Sequence, residues 1–402
     1  MIGIDVAEIA RFEKHVDRPR FLDRILTENE RQSYQKKPTA EHLATFFAVK
    51  EAVAKALGTG IGAYGWTDIE LQHDALGKPS AQITDRKRKK TIRAAVTVSH
   101  DAGIVIAAAV LIGEEPLLED AATRELRALL RPRDISMHKG QAGRACVLGG
   151  QAGMTGSVCL ASRAVLRSGA GYAFAIVRPE VYAIVQQKLL EPMVLPLLTE
   201  DPDPLLERLQ MMDAVAVGPG LGTDALAEQI LQTVLASATC PVVIDADALT
   251  ILSKYPGWFE QKNSPWILTP HAGELKRLFA GTGIQNSAAL AKKYDMILIE
   301  KGPSTKIHAR RTVTNPTGNP GLATAGTGDV LTGIVTGLLA RGYAPETAAR
   351  LGVWLHGAAG DLARADFGEE GMIASDVLER IPAAHQYLKG DTHAYRQHMG
   401  RD

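Results

Sequence analysis

Gly326-Thr-Gly-Asp329-Val-Leu-Thr-Gly-Ile-Val-Thr-Gly-Leu-Leu-Ala340 is the stretch that decides the architecture. Two glycines open directly into a run in which Leu331, Ile334, Val335 and Leu338 recur at helical spacing. A glycine turn feeding a helix leaves free N–H groups and the positive end of the helix dipole at the turn, a ready place for a phosphate. Asp329 has two readings at that edge. As an N-cap it would only close the helix start. As a general base it would take a proton from a substrate hydroxyl beside a phosphoryl group. Glycine on both sides of Thr327 favours the base, because a cap needs neither. Upstream, short apolar runs each end in a Gly, Asp or His cluster and lead into a helical pattern: RACVLGG (144–150), AFAIV (173–177), AVAVGPG (214–220), PVVIDAD (241–247), WILTPHAGE (266–274) and MILIEKG (296–302). This alternation predicts a mostly parallel sheet whose ligands sit beyond the carboxyl ends of the strands.

The whole chain has 402 residues, enough for two or three domains. Its 45 Lys+Arg cancel 45 Asp+Glu, so no global field exists to hold a nucleic acid or an anionic membrane, and any anion must be caught locally. Residues 1–112 are mildly basic, mostly through Asp85-Arg-Lys-Arg-Lys-Lys90, but no aromatics interleave there and a solvated loop is the better reading. No apolar run is long enough to span a bilayer. Cys146, Cys159 and Cys240 are widely spaced and suggest neither a disulfide framework nor a zinc knuckle. With Asp5 and Glu8 interrupting the N-terminal apolar stretch, the expected location is the cytoplasm. Residues 116–137 read as a connector, with Leu117, Leu118, Ala121, Leu126 and Leu129 spaced over a charged background and ending near Pro132. No Walker A motif, H-E-x-x-H or G-x-S-x-G is present, since Leu76-Gly-Lys78 continues with Pro79.

Residues 1–115 carry a second chemistry. Ile2-Gly-Ile-Asp5-Val reads as a short strand bearing a carboxylate, and Phe46, Val49, Val53 and Leu57 form an apolar helix stripe stopped by Gly58. Glu51 and Lys55 share another face at i, i+4, where the bland reading is an exposed ion pair. Gly58, Gly60 and Gly62 change the odds, because they let the backbone approach a bulky anion that Lys55 can neutralise. Two hard carboxylates beside a phosphate site suit Mg²⁺, which takes oxygen ligands and keeps substrate oxygens and water.

Gly3-Ile-Asp5, Arg11, Phe21-Leu-Asp-Arg-Ile-Leu-Thr27-Glu, Phe47-Ala-Val-Lys-Glu-Ala-Val-Ala-Lys-Ala-Leu-Gly-Thr-Gly-Ile-Gly62 and Val98-Ser-His100 resemble the holo-acyl-carrier-protein synthases. The resemblance implies an α+β phosphopantetheinyl-transferase fold. It implies transfer of 4′-phosphopantetheine from coenzyme A to a serine of acyl carrier protein, with release of adenosine 3′,5′-bisphosphate. Asp5 and Glu51 match Mg²⁺ ligands, with Glu51 and Lys55 catalytic. Lys55, Gly58, Gly60 and His100 match coenzyme A positions, and Arg11 and Arg24 the surface that meets the acidic carrier.

Residues 138–387 resemble the ADP-dependent NAD(P)H-hydrate dehydratases. The likeness rests on Lys139-Gly-Gln-Ala-Gly-Arg-Ala-Cys-Val-Leu-Gly-Gly150, Gly218-Pro-Gly-Leu-Gly222, Ile244-Asp-Ala-Asp-Ala-Leu249, Leu268-Thr-Pro-His-Ala-Gly-Glu274, Lys301-Gly-Pro-Ser-Thr305, Gly326-Thr-Gly-Asp329 and Leu355-His-Gly-Ala-Ala-Gly-Asp361. It implies a ribokinase-like α/β fold and repair of NAD(P)H hydrate: ADP phosphorylates the 6-hydroxyl, and loss of phosphate restores the cofactor and leaves AMP. Asp329 would be the base. Ser157, standing where the family has Ala, together with Gly220, His271 and Asp329, would bind the hydrate. Lys301, Gly302, Pro303, Ser304, Thr305, Gly326 and Gly328 would bind ADP and AMP. No epimerase domain is recognisable, so one hydrate epimer is the expected substrate. Both families imply a homo-oligomer, and residues 388–402 read as a tail. Two alternatives stay open: a ribokinase-like small-alcohol kinase in the C-terminal half, or an inactive binding or assembly module in either half. A dinucleotide-dependent dehydrogenase ranks low, because G-G-x-x-G after Leu148 has no acidic ribose residue on a following strand.

Overall fold

The computed structural model describes residues 2–58, 60–61, 64–73, 77–85, 90–116, 121–134, 136–197 and 203–390. The chain divides at Ala121/Ala122 into two compact units. The basic stretch 86–89, Leu117, Leu118, Gly62 and the tail from 391 lie outside the described residues. No helix among those residues is long and apolar enough to cross a membrane.

The first unit runs β1 (Ile2–Glu8), α1 (Pro19–Ile25), α2 (Glu28–Lys36), α3 (Ala40–Ala56), β2 (Ile69–His73), β3 (Pro79–Asp85), β4 (Lys90–Asp101) and β5 (Ile104–Pro116). Its sheet is antiparallel throughout, in the order β1-β5-β4-β3-β2. Helix α3 lies against β1 and β5 because small residues permit it: Ala44, Ala48, Ala52 and Ala56 are fully buried on the helix. Gly3 sits so close beneath that a Cβ there would fall 2.0 Å from the Ala52 carbonyl oxygen and 2.4 Å from the Ala56 nitrogen. Gly3→Ala should therefore force strand and helix apart and destabilise the unit by about 3 kcal/mol or more, with loss of soluble protein or a sharply lowered denaturation midpoint. An unchanged midpoint would refute this account of the packing.

A buried ion pair ties α2 to α3. Lys50 is wholly buried, and its Nζ donates to Glu30 Oε2 (2.6 Å), the Ile25 carbonyl (2.7 Å) and the Trp66 carbonyl (2.9 Å). Burial pulls the lysine pKa down against the pull of Glu30. Glu30 also closes the capping box with Thr27 and accepts from the Leu71 amide, so every buried charge here has partners.

The second unit begins with α4 (Ala121–Ala128), inside the stretch read as a connector, and continues with β6 (Arg144–Leu148), α5 (Thr155–Arg167), β7 (Tyr172–Val177), α6 (Tyr182–Lys188), β8 (Met193–Pro196), α7 (Asp203–Gln210), β9 (Ala214–Val217) and α8 (Ala225–Ser237). Then come β10 (Val242–Ile244), α9 (Ala246–Lys254), β11 (Trp266–Leu268), α10 (Ala272–Thr282), α11 (Ser287–Lys293), β12 (Ile297–Glu300), β13 (Lys306–His308), β14 (Thr312–Thr314), α12 (Thr327–Ala340), α13 (Pro345–Gly371) and α14 (Ala374–Lys389). The nine-stranded sheet has the order β14-β13-β12-β11-β10-β9-β6-β7-β8. It is parallel from β12 to β8, and only β13 and β14 run antiparallel. One apolar core packs α5, α12, α13 and α14 on one face, and a second packs α8, α9, α10 and α11 on the other.

The sequence stripe of α12 understates its burial: every residue from Val330 to Ala340 is buried. Gly333 explains how, since a Cβ there would stand 2.1 Å from the Ala161 carbonyl oxygen of α5. Helix α12 is thus a central, immobilised element, and its N-terminus holds the Gly-Thr-Gly-Asp turn.

Candidate active sites

In the first unit, β1 presents Asp5 and α3 presents Glu51 and Lys55. Lys55 Nζ does not pair with Glu51 as the i, i+4 reading expected; it donates to Asp5 Oδ1 (2.7 Å) and to the Ile4 carbonyl (3.0 Å). Asp5 Oδ2 is buried and has no hydrogen-bond partner. Burial pushes the Glu51 pKa up, the Asp5 charge pushes it further, and Lys55 pulls it back. An orphaned carboxylate oxygen next to a second carboxylate that resists ionisation fits a hard divalent cation, which would satisfy the first and relieve the second. Among the described residues no group of three or more His, Cys, Asp or Glu is placed to hold a metal ion, and a pair of carboxylates suits Mg²⁺, which usually keeps water and substrate oxygens.

Gly58 (φ 73°) and Gly60 (φ 61°) follow the end of α3, and nothing lies within 4 Å of a Cβ at Gly60. His100 makes no hydrogen bond to Asp5, Glu51 or Lys55: its Nε2 lies 3.0 Å from Thr45 Oγ1, on a residue about 15 Å of helix rise ahead of Lys55. Arg11 lines a shallow depression with Glu8, Glu13 and Gly103, and Arg24 is exposed in the last turn of α1.

In the second unit the site forms at the carboxyl edge of the parallel sheet. Gly326 (φ 90°) is the N-cap of α12, and Asp329 is the third helical residue, so Asp329 does not cap. Its carboxyl is pushed up to about 7, first by burial and then by the nearby Asp245 charge; a Ser157 hydrogen bond and Lys301 act in the opposite direction. Ser157 belongs to the first turn of α5, and Gly220 approaches the same place, since a Cβ on Gly220 would lie 3.4 Å from Ser157 Cβ. The Gly149–Gln151 and Gly218–Gly222 loops are locked together by the Gly150 amide on the Pro219 carbonyl (3.0 Å) and the Gln151 amide on the Gly220 carbonyl (2.8 Å).

Lys301, at the end of β12, is the electrostatic pivot. Its Nζ donates to Asp245 Oδ1 (2.9 Å), lies 3.9 Å from Glu274 Oε2, and would stand 3.4 Å from a Cβ on Gly328. Burial works against its charge, yet Asp245 and Glu274 together raise its pKa. Asp245 is buried, but Lys301 and hydrogen bonds that include one from Thr332 Oγ1 (2.7 Å) hold its pKa below the ordinary value. Burial raises the Glu274 carboxyl, and this residue caps α10 together with His271, whose Nδ1 accepts from the Gly273 (2.9 Å) and Glu274 (3.4 Å) amides. His271 pairs with Lys301 in a single parallel bridge. Gly302, Pro303 and Ser304 are exposed beyond β12, and Thr305 Oγ1 donates to the Gly302 carbonyl (3.2 Å). The structure thus gathers Ser157, Gly220, Lys301, Gly328 and Asp329, with His271 and Gly302–Thr305 along the adjoining strand ends.

The sequence reading assigned no role to Asp245, Thr332, Glu274 or Lys50. Asp245 and Glu274 stood in quoted strand-end clusters, PVVIDAD and WILTPHAGE, and Lys50 in the Phe47–Gly62 motif, but nothing local showed what they would meet; Thr332 is a polar residue inside a helical pattern. Asp361 is similar: from α13 it accepts from the Gly318 amide (2.9 Å) and Asn319 Nδ2 (3.0 Å), fixing the turn that leads into Gly326.

A parallel sheet with helices on both faces, a glycine turn opening a buried central helix and an acid of raised pKa beside a lysine define a ribokinase-like α/β unit, here following a phosphopantetheinyl-transferase-like α+β unit. A model of the NAD(P)H-hydrate dehydratases matches residues 145–383 and one of the 4′-phosphopantetheinyl transferase superfamily matches residues 1–109, so the chain belongs to the first family through its C-terminal unit and to the second through its N-terminal unit. The bifunctional NAD(P)H-hydrate repair enzyme of Moorella thermoacetica is 39% identical over 294 residues, which cover 69% of this chain and 56% of that protein. The chain therefore spans little more than half the length of that curated relative. The ADP-dependent (S)-NAD(P)H-hydrate dehydratase of Neisseria meningitidis is 38% identical over 275 residues, covering 64% of this chain and 88% of that one. Among solved structures, the ADP/ATP-dependent NAD(P)H-hydrate dehydratase of Bacillus subtilis, co-crystallised with ATP and Mg²⁺, aligns with a TM-score of 0.57 at 30% identity over 66% of this chain and 97% of that one.

Proposed function

We propose that the chain carries two activities: ADP-dependent dehydration of (6S)-NAD(P)H hydrate in its C-terminal unit, and transfer of 4′-phosphopantetheine from coenzyme A to acyl carrier protein in its N-terminal unit. The observation that carries the first is Asp329, an acid with a pKa of about 7 fixed at the mouth of α12. It takes the proton of the substrate hydroxyl as the hydroxyl oxygen bonds to the terminal phosphorus of ADP and the bond to AMP breaks. Amides of Gly326 and Gly328 and the Lys301 ammonium lie where the transferred oxygens gain charge. Phosphate then leaves with the C–O bond electrons, pushed by the ring nitrogen, and a ring proton is lost, which restores the nicotinamide. Ser157, Gly220 and His271 border the hydrate, and Gly302, Pro303, Ser304 and Thr305 the nucleotide.

In the N-terminal unit Asp5 and Glu51 would hold Mg²⁺, which supplies charge neutralisation at the coenzyme A pyrophosphate. Lys55, Gly58 and Gly60 receive the phosphates, and Glu51 or a metal-bound water helps deprotonate the carrier serine. His100, beside Thr45, would meet coenzyme A only at a part remote from Lys55. Arg11 and Arg24 offer exposed charge to the acidic carrier and should mainly speed encounter. A homo-oligomer is part of this reading: Ile2 (67% exposed), Ile4 and Val6 on β1, with Ile106, Val110 and Ile112 on β5, form an apolar strip on the sheet face turned away from α3.

Incubation of the full chain with ADP and hydrated NADH should restore absorbance at the NADH band with stoichiometric AMP. If ADP is left intact while ATP is converted to ADP and a stable phosphorylated alcohol, the small-alcohol kinase reading wins instead.

A further inference from the structure

The end of α12 away from Asp329, about 20 Å along the helix axis, carries a cluster that neither proposed reaction uses. A cavity of about 120 Å³ there is lined by Arg131, Arg133, Arg167, Arg341, His385 and Lys389. Helices α5, α12 and α14 all end at this place. The bland account is that the cations only cap these helices, and some of their donors do. Arg341 Nη1 reaches the Ser168 carbonyl (3.3 Å), Arg133 Nη2 the Gly169 carbonyl (3.3 Å) and Arg131 Nη1 the Gly342 carbonyl (2.8 Å).

Charge counting makes capping insufficient. Each helix C-terminus offers about half a negative charge, so three offset about one and a half. Arg167 shares the Glu379 carboxylate with Arg163 and is left out of the count. No described carboxylate pairs with Arg131, Arg133, Arg341 or Lys389. Roughly two to three positive charges therefore stay uncompensated around the cavity, and each guanidinium, with five donors, still has several free. The group is held in place: the guanidinium carbons of Arg131 and Arg341 each stand 5.3 Å from the centroid of the Tyr343 ring, and the Tyr343 hydroxyl accepts from the Arg131 amide (2.9 Å). His385, also lining the cavity, has a buried Nε2 with no hydrogen-bond partner.

We propose that this cavity is a second anion site, built for a dianionic phosphate, either inorganic phosphate or the phosphomonoester of a nucleotide. A tetrahedral dianion would match the surplus charge, accept from the free guanidinium donors and Lys389, and give the His385 ring nitrogen the partner it lacks. Binding there would tie together three helix ends and the Arg131–Arg133 segment, at the pole opposite the catalytic edge.

The test is calorimetric titration of the full chain at low ionic strength with inorganic phosphate and, separately, adenosine 3′,5′-bisphosphate. Wild type is compared with Arg133→Gln/Lys389→Gln and, in case that pair impairs folding, with Lys389→Gln alone. The wild type should bind at least one of these anions, and the double variant should bind it about tenfold more weakly at one site. Lys389→Gln should weaken it severalfold. Tighter binding of the bisphosphate, in competition with phosphate, would identify the nucleotide source; binding of phosphate alone would identify the free anion. If neither anion binds at millimolar concentration, or both variants bind as the wild type does, the arginines are helix caps and the proposal is wrong. The readout does not depend on either catalytic activity, so it can fail while the proposed reactions stand.

Discussion

Asp329→Asn is expected to lower hydrate dehydration by about 10²- to 10⁴-fold, the range for removal of a general base, while making the protein more stable above pH 8. The two effects share a cause. The carboxyl has an ordinary pKa of 3.8 and one of about 7 in the folded chain, because it is buried and faces Asp245. A group whose folded pKa lies above its unfolded value stabilises the fold fully below the unfolded pKa and loses that contribution as pH rises through the folded pKa. The gap is about 7 minus 3.8, roughly three units, and at about 1.4 kcal/mol per unit the ceiling is about 4 kcal/mol of stability forgone above pH 8. Asn carries no charge and avoids this loss, so a gain of about 2 kcal/mol is reasonable after allowing for partial solvent contact. If Asp329 were a helix cap, Asn would leave stability unchanged and Ala would lower it. Thermal melts of the wild type and variant at pH 3.5, pH 5 and pH 8 separate the two cases: the stabilisation should be full at pH 8, roughly two-fifths as large at pH 5, and nearly absent at pH 3.5, below the unfolded pKa. In the active enzyme, kcat/KM should rise with pH and level off above about 7, and a flat profile between pH 6 and 8 would remove Asp329 from the role of base.

Asp5→Ala should lower transfer to the carrier protein by at least about 10³-fold and leave dehydration unaltered. Asp5 Oδ2 has no partner in the fold, so its removal costs little stability, and Lys55 keeps the Ile4 carbonyl. What disappears is the second carboxylate of the pair with Glu51, and with it the charge that would hold a divalent cation against the coenzyme pyrophosphate. With Asp5 gone, the Glu51 pKa should fall, since one of the causes raising it is the Asp5 charge. The mass of the carrier protein after incubation with coenzyme A and Mg²⁺ reads the first effect, and recovery of NADH absorbance reads the second. Loss of both activities from this single substitution would mean that the two units do not work independently.

The local signals in the chain were legible because they are short-range. Period-two and period-3.6 patterns and glycine turns located most parallel strands and the start of α12, since hydrophobic spacing and turn chemistry act over a few residues. The short strands β8, β13 and β14, at the two ends of the sheet, left too little pattern to be seen. The stripe read on α12 is buried as expected but understated the helix's burial for a related reason. Its glycines look like interruptions in sequence and become contact surfaces only when α5 lies against them.

What the sequence by itself determined is the mostly parallel sheet of the C-terminal half and the kinds of group at each strand end, because backbone propensity and side-chain periodicity are properties of neighbouring residues; the N-terminal fold was implied by the motifs that resemble the transferases. The tertiary structure alone decided which charges meet. Lys301 finds Asp245 across 56 residues and Thr332 reaches the same acid across 87. Lys55 turns to Asp5 in place of the nearer Glu51, His100 settles on Thr45, and five cations from four separate segments surround one cavity. Such encounters depend on distances between elements far apart in the chain, and a Coulomb energy or a desolvation penalty has no value until packing sets those distances and excludes the water.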